Sequence, residues 1–363
     1  MPILRNPSRT TRSSVLAALT LATALLLAGC GGDANAGGTG TKLALDAALP
    51  TTVPAGAKIV VGDPTTQKAL ELSGQVDKVS GFVQFANLSG GPQTTEAFRA
   101  NALDVGAVAE IPSIQATWTG LHVKIVASKF RQDPINHPIY ELGVAPGVEV
   151  KTLADLRGKK IAYSPGQAQG ALILKVLKKA GLTKEDVKLI ELPSTGDVYP
   201  NALAAKQVDV APIGGVSIKR YLTKYGKDGG TTIQHGIRDD AGHLYVPTSS
   251  LEDEGKAAAI RAYVAAWGVA QDWIDKHPKE WIEGYYVKDQ GLTAEDGQWL
   301  VDNAGKPDIS ADWSDAIKRH QETIELLATE TKNPVIQATD LYDLRFQSVA
   351  VDAIKAASTG AAK

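Results

Sequence analysis

Along much of the chain, short apolar runs typical of strands are followed by segments in which apolar residues recur at helical spacing. This pattern predicts strands followed by helices. Residues 58–70 (KIVVGDPTTQKAL) begin with a β-branched apolar run, pass through a Gly/Pro/Thr turn and continue at helical spacing. Residues 81–98 and 97–108 supply two further strands, separated by a Gly-containing loop and an Ala-rich helix. Short apolar runs bounded by turn residues are typical of buried strands. The pattern therefore predicts a β-α-β-α-β unit.

The same order of elements returns 105 residues later, in residues 159–172, 187–203 and 202–213. The two units match best at a polar corner before a short buried strand, where Asp104-Val105 corresponds to Asp209-Val210. Strands that alternate with helices form parallel sheets covered on both faces, and ligands bind beyond the carboxyl ends of the strands. The repeat predicts an α/β fold of two lobes with a ligand cleft between them.

The C-terminal third has a different pattern. Apolar positions at helical spacing recur there, at Ile260, Tyr263, Val264, Trp267, Ala270 and Ile274. Five of the six tryptophans lie in this third. At this spacing aromatic residues pack a helix onto a neighbouring layer, and we expect that packing here rather than a ligand site built of aromatic residues.

The N-terminus has the composition of a secretory signal. Arg5, Arg9 and Arg12 precede an apolar run over residues 15–27, which is too short to span a bilayer comfortably. The sequence Leu-Ala-Gly-Cys that ends at Cys30 resembles a bacterial lipobox. We expect a signal peptide over the first 29 residues and a lipid on Cys30; the alternative is an ordinary signal peptide followed by an incidental cysteine.

The residues after Cys30 are rich in glycine and poor in apolar side chains, so a flexible tether is expected over residues 30–57. Without the three signal arginines, 35 basic and 40 acidic side chains leave a net charge of −5, which does not favour nucleic-acid binding. A single cysteine excludes a disulfide within the chain. The roughly 320 residues after the tether suit two domains.

Motifs for catalysis are missing from the sequence. It contains neither a Gly-x-x-x-x-Gly-Lys-Ser/Thr phosphate loop nor a Gly-x-Ser-x-Gly elbow, and its six histidines are scattered. His235 and His243 flank two aspartates and could approach one another in a metal-binding loop, although a polar surface loop is the simpler interpretation. We therefore expect a binding protein without catalytic residues, metal or cofactor.

Polar and glycine residues at the predicted strand ends form the candidate ligand site. A helix start offers unpaired N–H donors and a partial positive charge, so two of them across a cleft would suit a small oxyanion. Paired glycines let the backbone approach a ligand closely. The residues that we expect at the site on these grounds are Thr65, Thr66, Gln67, Gly90, Gly91, Pro92, Ser164, Gln167 and Gln169.

Two carboxylates follow predicted strands and complicate an anion site. Glu110 and Asp197 would repel a plain anion if both faced the cleft. They could instead bind an amine or hydroxyl group of the ligand, or pair with Arg131, or simply cap helices.

Residues 88–128 (LSGGPQTTEAF…VKIVAS) and 150–210 (VKTLADLRGKKIAYSPGQ…QVDV) together resemble the substrate-binding lipoproteins of bacterial ABC transporters. The run ADLRGKKIA…G…KAGL…DV is the most specific part, and the resemblance is to the aliphatic-sulfonate, taurine and nitrate group. It implies a type II periplasmic-binding-protein fold, with residues 58–141 in lobe 1, residues 142–245 in lobe 2, and residues 246–363 as helices that return to lobe 1.

The resemblance also implies a function. Lobe closure would capture a small polar or anionic organic solute and deliver it to an ABC permease. The pocket would use the residues named above together with Glu110 and Asp197, and the protein would be an exported, lipid-anchored monomer. The alternatives are a sensor subunit and a pyrimidine-synthesising enzyme of the same fold; the enzyme would need a reactive histidine, and none falls in the predicted loops.

Two departures from the family pattern bear on the ligand. The family usually shows a Trp-rich segment ending in Asp-Pro-Tyr after the second Val-Asp-Val, whereas this chain has APIGGVSIKR, with Gly214 and Gly215 in place of aromatic bulk. The first loop, GDPTTQ, also lacks the Tyr-Gln pair common in the family. We therefore expect a ligand that is bulkier than the usual one, or one that is not a sulfonate.

Overall fold

In the computed structural model, which describes residues 41–360, eleven strands form two separate sheets. Cys30 and the predicted signal peptide lie outside the described residues. The strands are β1 (Ile59–Gly62), β2 (Val83–Phe85), β3 (Val105–Ala109), β4 (Val123–Arg131), β5 (Tyr140–Val144), β6 (Lys160–Tyr163), β7 (Lys188–Glu191), β8 (Val210–Gly214), β9 (Thr231–Ile233), β10 (Gly242–Pro247) and β11 (Pro307–Asp308).

Helices connect the strands and make up most of the C-terminal third. They are α1 (Pro64–Leu72), α2 (Asp77–Ser80), α3 (Gly91–Arg99), α4 (Ile111–Trp118), α5 (Ala168–Ala180), α6 (Val198–Ala204), α7 (Val216–Tyr225), α8 (Thr248–Leu251), α9 (Glu254–Lys276), α10 (Pro278–Trp281), α11 (Ala294–Ala304), α12 (Ser314–Thr331), α13 (Ala338–Leu341) and α14 (Val349–Gly360). A π-helical turn, Ile282–Val287, follows α10. None of the described helices is both long enough and apolar enough to cross a membrane.

The two β-α-β-α-β units predicted from the sequence are confirmed. The first sheet has the strand order β11-β4-β10-β3-β1-β2, and the second has the order β7-β6-β8-β5-β9. In the first unit β1 pairs in parallel with β2 and β3, and in the second β6 pairs in parallel with β7 and β8. We call the first sheet with its connecting helices the first half, and the second sheet with its connecting helices the second half.

The sheets are mixed, which corrects the expectation of purely parallel ones. The chain crosses from the first sheet to the second between β4 and β5, and returns between β9 and β10. Because of this exchange, β10 runs antiparallel to β3 and β4, and β5 runs antiparallel to β8 and β9. The predicted lobe boundaries at residues 142 and 245 fall within β5 and β10.

The repeat extends to a hydrogen bond at the start of each unit. Asp104, just before β3, accepts a hydrogen bond from the Val60 backbone N–H at 2.9 Å. Asp209, just before β8, accepts one from the Lys160 backbone N–H at 2.7 Å. In both halves the aspartate thus satisfies a backbone donor of the neighbouring parallel strand, which explains why a carboxylate stands at the corner.

The C-terminal helices pack mainly against the first half. Helix α9 lies against α1, α2 and β1, and α14 packs along α9. Trp267, Trp281 and Trp313 are buried in the core of the first half, as the helical spacing predicts. The start of the described chain is also held there, because the Leu43 backbone N–H donates to the Glu252 carbonyl at 2.7 Å.

Candidate functional site: two cavities beside the crossing between the sheets

A cavity of about 510 Å³ lies between helix α5 of the second half and helix α12. We call it the α5–α12 cavity. Successive turns of one face of α5 form one side of it, and residues at the carboxyl end of β3 and on α12 form the other. The residues of its wall used below are Glu110, Phe130, Lys175, His243, Arg319 and Thr323.

Glu110 connects the two halves at this cavity. Its carboxylate accepts hydrogen bonds from the Lys175 ammonium and from the Thr323 hydroxyl, each at 2.9 Å. Burial opposes ionisation of Glu110, but the Lys175 charge and these hydrogen bonds outweigh it and lower the pKa to about 2. The Glu110 carboxylate is therefore ionised at neutral pH. Glu110 does not pair with Arg131, which corrects that alternative.

Two buried histidines pack together at the cavity, His243 in its wall and His320 behind it. The His243 and His320 rings stack with centroids 5.8 Å apart and planes inclined by 10°. His243 Nδ1 is 2.9 Å from the Ser128 hydroxyl, and His320 Nδ1 is 3.2 Å from the Tyr342 hydroxyl. Burial lowers the pKa of His243 to about 3, so the ring is neutral at physiological pH.

The cavity also presents a cation that is free of carboxylates. The Arg319 guanidinium lies 5.2 Å from the centre of the Phe130 ring, and no carboxylate oxygen of the described residues is within 4.0 Å of it. Arg238 lies 5.6 Å from the same ring but is paired with Asp240 at 2.8 Å. Arg319 is thus the guanidinium left to meet an anion entering the cavity.

The predicted glycine loop of the first half lies beside the Glu110 turn. A side chain on Gly91 would place its Cβ 2.4 Å from Pro112 Cγ. The two loops are therefore in close contact at Gly91, and any larger residue there would force one of them to move. Gly90 is the N-cap of α3 with φ of 94°, and Pro92 is the second residue of the helix. The Thr94 and Thr95 hydroxyls donate to the Gly90 and Gly91 carbonyls from within the helix.

The first predicted loop turns toward the C-terminal helices. The Thr65 hydroxyl is 3.3 Å from the Tyr285 hydroxyl, and the buried Thr66 accepts a hydrogen bond from Gln271 at 3.2 Å. Gln67 donates to Glu71 along the exposed side of α1. These side chains already have partners inside the protein.

The predicted loops of the second half lie around the start of α5. Ser164 is buried, and its hydroxyl has no hydrogen-bond partner among the described residues. Gln167 occupies the N-cap position of α5 without a side-chain hydrogen bond. Gln169 donates to the Ser194 carbonyl at 3.5 Å. The exposed Asp197 stands at the start of α6, and its side chain caps nothing.

Glu110 is the one residue of the eleven predicted, all of them described, that lines the α5–α12 cavity. Ala168, which lies between the predicted residues Gln167 and Gln169, also lines the cavity. The first turn of α5 therefore borders the cavity, although neither glutamine does. The sequence prediction missed Lys175, Arg319 and Thr323. The signal for Lys175 was its helical spacing, because residues 168, 171, 172 and 175 share one face of α5.

A second cavity of about 310 Å³ lies on the other side of the crossing, between β4, α9 and α11. We call it the β4–α9 cavity. Lys129, Arg131, Gln271 and the carboxylates of Asp240 and Asp275 supply its polar groups, and Trp281 and Tyr286 supply aromatic surface. Phe130, Asp240 and Ala241 line both cavities and separate them.

Two mixed sheets joined by a double crossing, with helices packed at the C-terminal end, define a periplasmic-binding-protein fold, as predicted. The chain belongs to the NMT1/THI5-like family, whose model matches residues 83–280, more than half of the chain. A segment of 106 residues is 30% identical to an Escherichia coli (strain K12) protein named for aliphatic sulfonate binding. That segment covers 29% of this chain and spans only 32% of the relative.

Two solved structures show how widely the fold is used. The alkanesulfonate-binding protein SsuA from Xanthomonas axonopodis pv. citri, bound to MOPS, superposes with a TM-score of 0.64 at 20% identity, covering 82% of this chain and 99% of that one. The desulfurization enzyme DSZB superposes with a TM-score of 0.57 at 15% identity, covering 81% and 99%. The fold therefore serves both binding and catalysis.

Proposed function

We propose that the protein is the extracytoplasmic solute-binding component of an ABC importer and that it binds a small organic anion in the α5–α12 cavity. The observation that carries the proposal is that the wall of this cavity comes from both halves, with Arg319 and Lys175 on opposite sides. A ligand held there would contact both halves at once, so its binding energy would favour the closed arrangement.

The chemistry of the wall supports an anion with an apolar part. Arg319 offers a planar guanidinium without a carboxylate partner among the described residues, which suits a sulfonate or a carboxylate. Phe130, Ala171 and Leu172 give apolar surface beside it. Gly214 leaves room for the Tyr140 ring, because a Cβ on Gly214 would lie 2.7 Å from that ring, and Tyr140 lines the cavity. Thus an aromatic ring from β5 stands near the glycine pair that replaces the family's aromatic segment.

The likeness to the sulfonate-binding relatives supports delivery to a membrane permease. We further propose that the chain is exported, carries lipid on Cys30 and acts as a monomer. Residues 58–141 with the C-terminal helices, and residues 142–245, would move as two lobes. The residues predicted at the loops, Thr65 to Gln67, Gly90 to Pro92, Ser164 to Gln169 and Asp197, would shape the approach to the cavity.

Isothermal titration with a panel of methanesulfonate, hexanesulfonate, taurine, nitrate and a thiamine-precursor pyrimidine tests the proposal. We expect one organic anion to bind, and Arg319→Met to weaken its binding about 10- to 100-fold, the value of one charge-assisted hydrogen bond. Lys318→Met is the matched control, because Lys318 is exposed on the same helix. Equal affinity in all three proteins would remove Arg319 from the site, and no binding by any member would oppose the proposed ligand class.

The enzyme alternative rests on His243, which lines the cavity although it lies outside the predicted loops. A neutral imidazole could accept a proton, but its Nδ1 is taken up by Ser128. We propose that the protein does not catalyse a reaction. Mass spectrometry of the ligand recovered after incubation checks this, because a binding protein returns the ligand unchanged. A sensor subunit would bind the same ligand, and the neighbouring reading frames, encoding a permease or a receptor, would distinguish the two roles.

A further inference from the structure

The β4–α9 cavity contains two cations from one strand. Lys129 and Arg131 are two positions apart on β4, so their side chains leave the same face of the sheet. Phe130, between them, points to the opposite face, where it meets Arg319 in the α5–α12 cavity. The alternation of this strand thus gives the β4–α9 cavity two basic groups and the α5–α12 cavity an aromatic ring.

Neither cation has a carboxylate oxygen within 4.0 Å among the described residues. The Lys129 ammonium donates to Gln271 Oε1 at 2.6 Å, and Arg131 donates to the His137 carbonyl. Burial lowers the pKa of both groups, a sign that each charge is held away from water. Buried charges are normally paired or bound to a ligand, because removing them from water costs several kcal/mol.

The carboxylates whose charge acts on these cations are already engaged. Asp239 accepts hydrogen bonds from the Ile139 and Tyr140 backbone N–H groups at 2.9 and 2.8 Å. Asp63 accepts hydrogen bonds from the Thr66 backbone and from the Tyr263 hydroxyl, both at 3.1 Å. Asp240 is held by Arg238 at 2.8 Å and accepts from the Arg131 backbone N–H at 2.7 Å. The remaining hydrogen-bonding capacity of the two cations is therefore available to a group in the cavity.

Apart from the carboxylates of Asp240 and of the exposed Asp275, the rest of the wall is largely apolar. Trp281 and Tyr286 stand opposite the strand, and Ile139, Ile274 and Val301 add aliphatic surface. A volume of about 310 Å³ accommodates a molecule of a dozen or so heavy atoms at most. Such a wall favours a ligand body that is apolar and compact.

We infer that the β4–α9 cavity is a second anion site, separate from the α5–α12 cavity, which binds a small monoanion with an apolar body through Lys129 and Arg131. This inference does not rest on the proposed solute site. Because Phe130 and Asp240 line both cavities, a molecule in one site touches the wall of the other.

Isothermal titration with benzoate tests the inference, with benzamide as the neutral molecule of the same shape. We expect benzoate to bind, benzamide to bind at least tenfold more weakly, and Arg131→Met and Lys129→Met each to weaken benzoate binding about 10- to 100-fold. Lys318→Met is the matched control, because Lys318 is exposed on α12 and lines neither cavity, and it should leave benzoate affinity within twofold.

Three results would overturn the inference: no benzoate binding at millimolar concentration, equal binding of benzamide, or a loss of benzoate affinity in Arg319→Met that Arg131→Met does not show. The third result would place benzoate in the solute cavity and leave the proposed function intact. If either β4 variant fails to fold, crystals of the unaltered protein soaked in 4-iodobenzoate decide the matter. An anomalous iodine peak beside Trp281 supports the second site, and a peak confined to any other place rejects it.

Discussion

The Glu110 carboxylate and the Lys175 ammonium lie 2.9 Å apart and join the first half of the protein to the second. Glu110 stands where β3 gives way to α4, and Lys175 lies two turns into α5. Thr323 of α12 binds the same carboxylate, so three elements meet at one side chain. Any movement that separates α4 from α5 must break this ion pair.

Replacing Glu110 with glutamine should destabilise the protein by about 2–3 kcal/mol, because Lys175 is left without its counter-charge in a largely buried position. Urea denaturation at pH 7 measures the change. Glu322→Gln is the matched control, since Glu322 lines the same cavity but is exposed. We expect less than about 0.5 kcal/mol for the control. Equal effects of the two variants would mean that the ion pair contributes nothing special.

The contribution of Glu110 to the free energy of unfolding should decrease as the pH falls. Its pKa is lowered from 4.5 to about 2 in the folded protein. A carboxyl group with a lowered pKa stabilises the fold fully above its unfolded value, and the contribution is lost as the pH falls toward the folded value. The difference in unfolding free energy between the unaltered protein and Glu110→Gln should therefore shrink from pH 5 to pH 3. A difference that stays constant over this range would refute the assignment.

His243 should lower the free energy of unfolding as the pH falls, and its effect should begin at a higher pH than that of Glu110. The pKa of His243 falls from 6.5 to about 3 on burial, so between these values the unfolded chain binds a proton that the folded protein does not. Stability should consequently decline as the pH drops below 6.5, by up to about 1.4 kcal/mol per pH unit. His243→Asn should reduce this slope between pH 6.5 and 5 in urea titrations, whereas His122→Asn, at an exposed position, should leave it unchanged.

Adding a single methyl group at Gly91 should destabilise the protein by about 1–3 kcal/mol, because the new Cβ would lie 2.4 Å from Pro112 Cγ. Gly81→Ala provides the comparison: φ is −65° there, and nothing lies within 4 Å of the added atom. We expect that control to be neutral or slightly stabilising, since alanine restricts the unfolded chain. Thermal melting of both variants would reveal the contrast, and similar melting temperatures would argue against close contact of the two loops.

Asp104 and Asp209, the aspartates at equivalent positions of the repeat, should contribute different amounts to the free energy of unfolding. Asp104 holds the Ser250 hydroxyl at 2.7 Å and the Lys256 ammonium at 2.8 Å in addition to its strand partner. Asp209 has the strand partner Lys160. We expect Asp104→Ala to cost about 3 kcal/mol and Asp209→Ala about 1 kcal/mol in urea denaturation. The reverse order would show that the hydrogen bonds to α8 and α9 contribute little.

Local pattern was enough to predict most of the fold. The alternation of apolar runs with helical segments identified both β-α-β-α-β units, and the Asp-Val corner marked the same place in each. The crossing between sheets was not predictable in that way, because β10 and β5 owe their direction to partners distant in sequence. Gly242, for example, pairs with Ala109 of β3 and with Lys129 of β4.

The candidate site was harder to predict than the fold. Glu110 was found because it directly follows a strand. Arg319 and Thr323 lie on a helix more than 200 residues further along, and their distance from Glu110 depends on how α12 folds back. Lys129 and Arg131 could not be recognised as cavity residues for another reason. A basic residue in a strand usually faces water, and only the packing of α9 and α11 buries these two.

The hydrogen bond from Leu43 to Glu252 fixes where the N-terminal chain departs from the folded body, namely at the beginning of α9. The described part of the chain thus begins attached to the half that contains β1 to β4. If the proposed lipid on Cys30 attaches the protein to a bilayer, the half that contains β1 to β4 is the one tethered directly, and the proposed lobe closure would move the other half relative to the membrane.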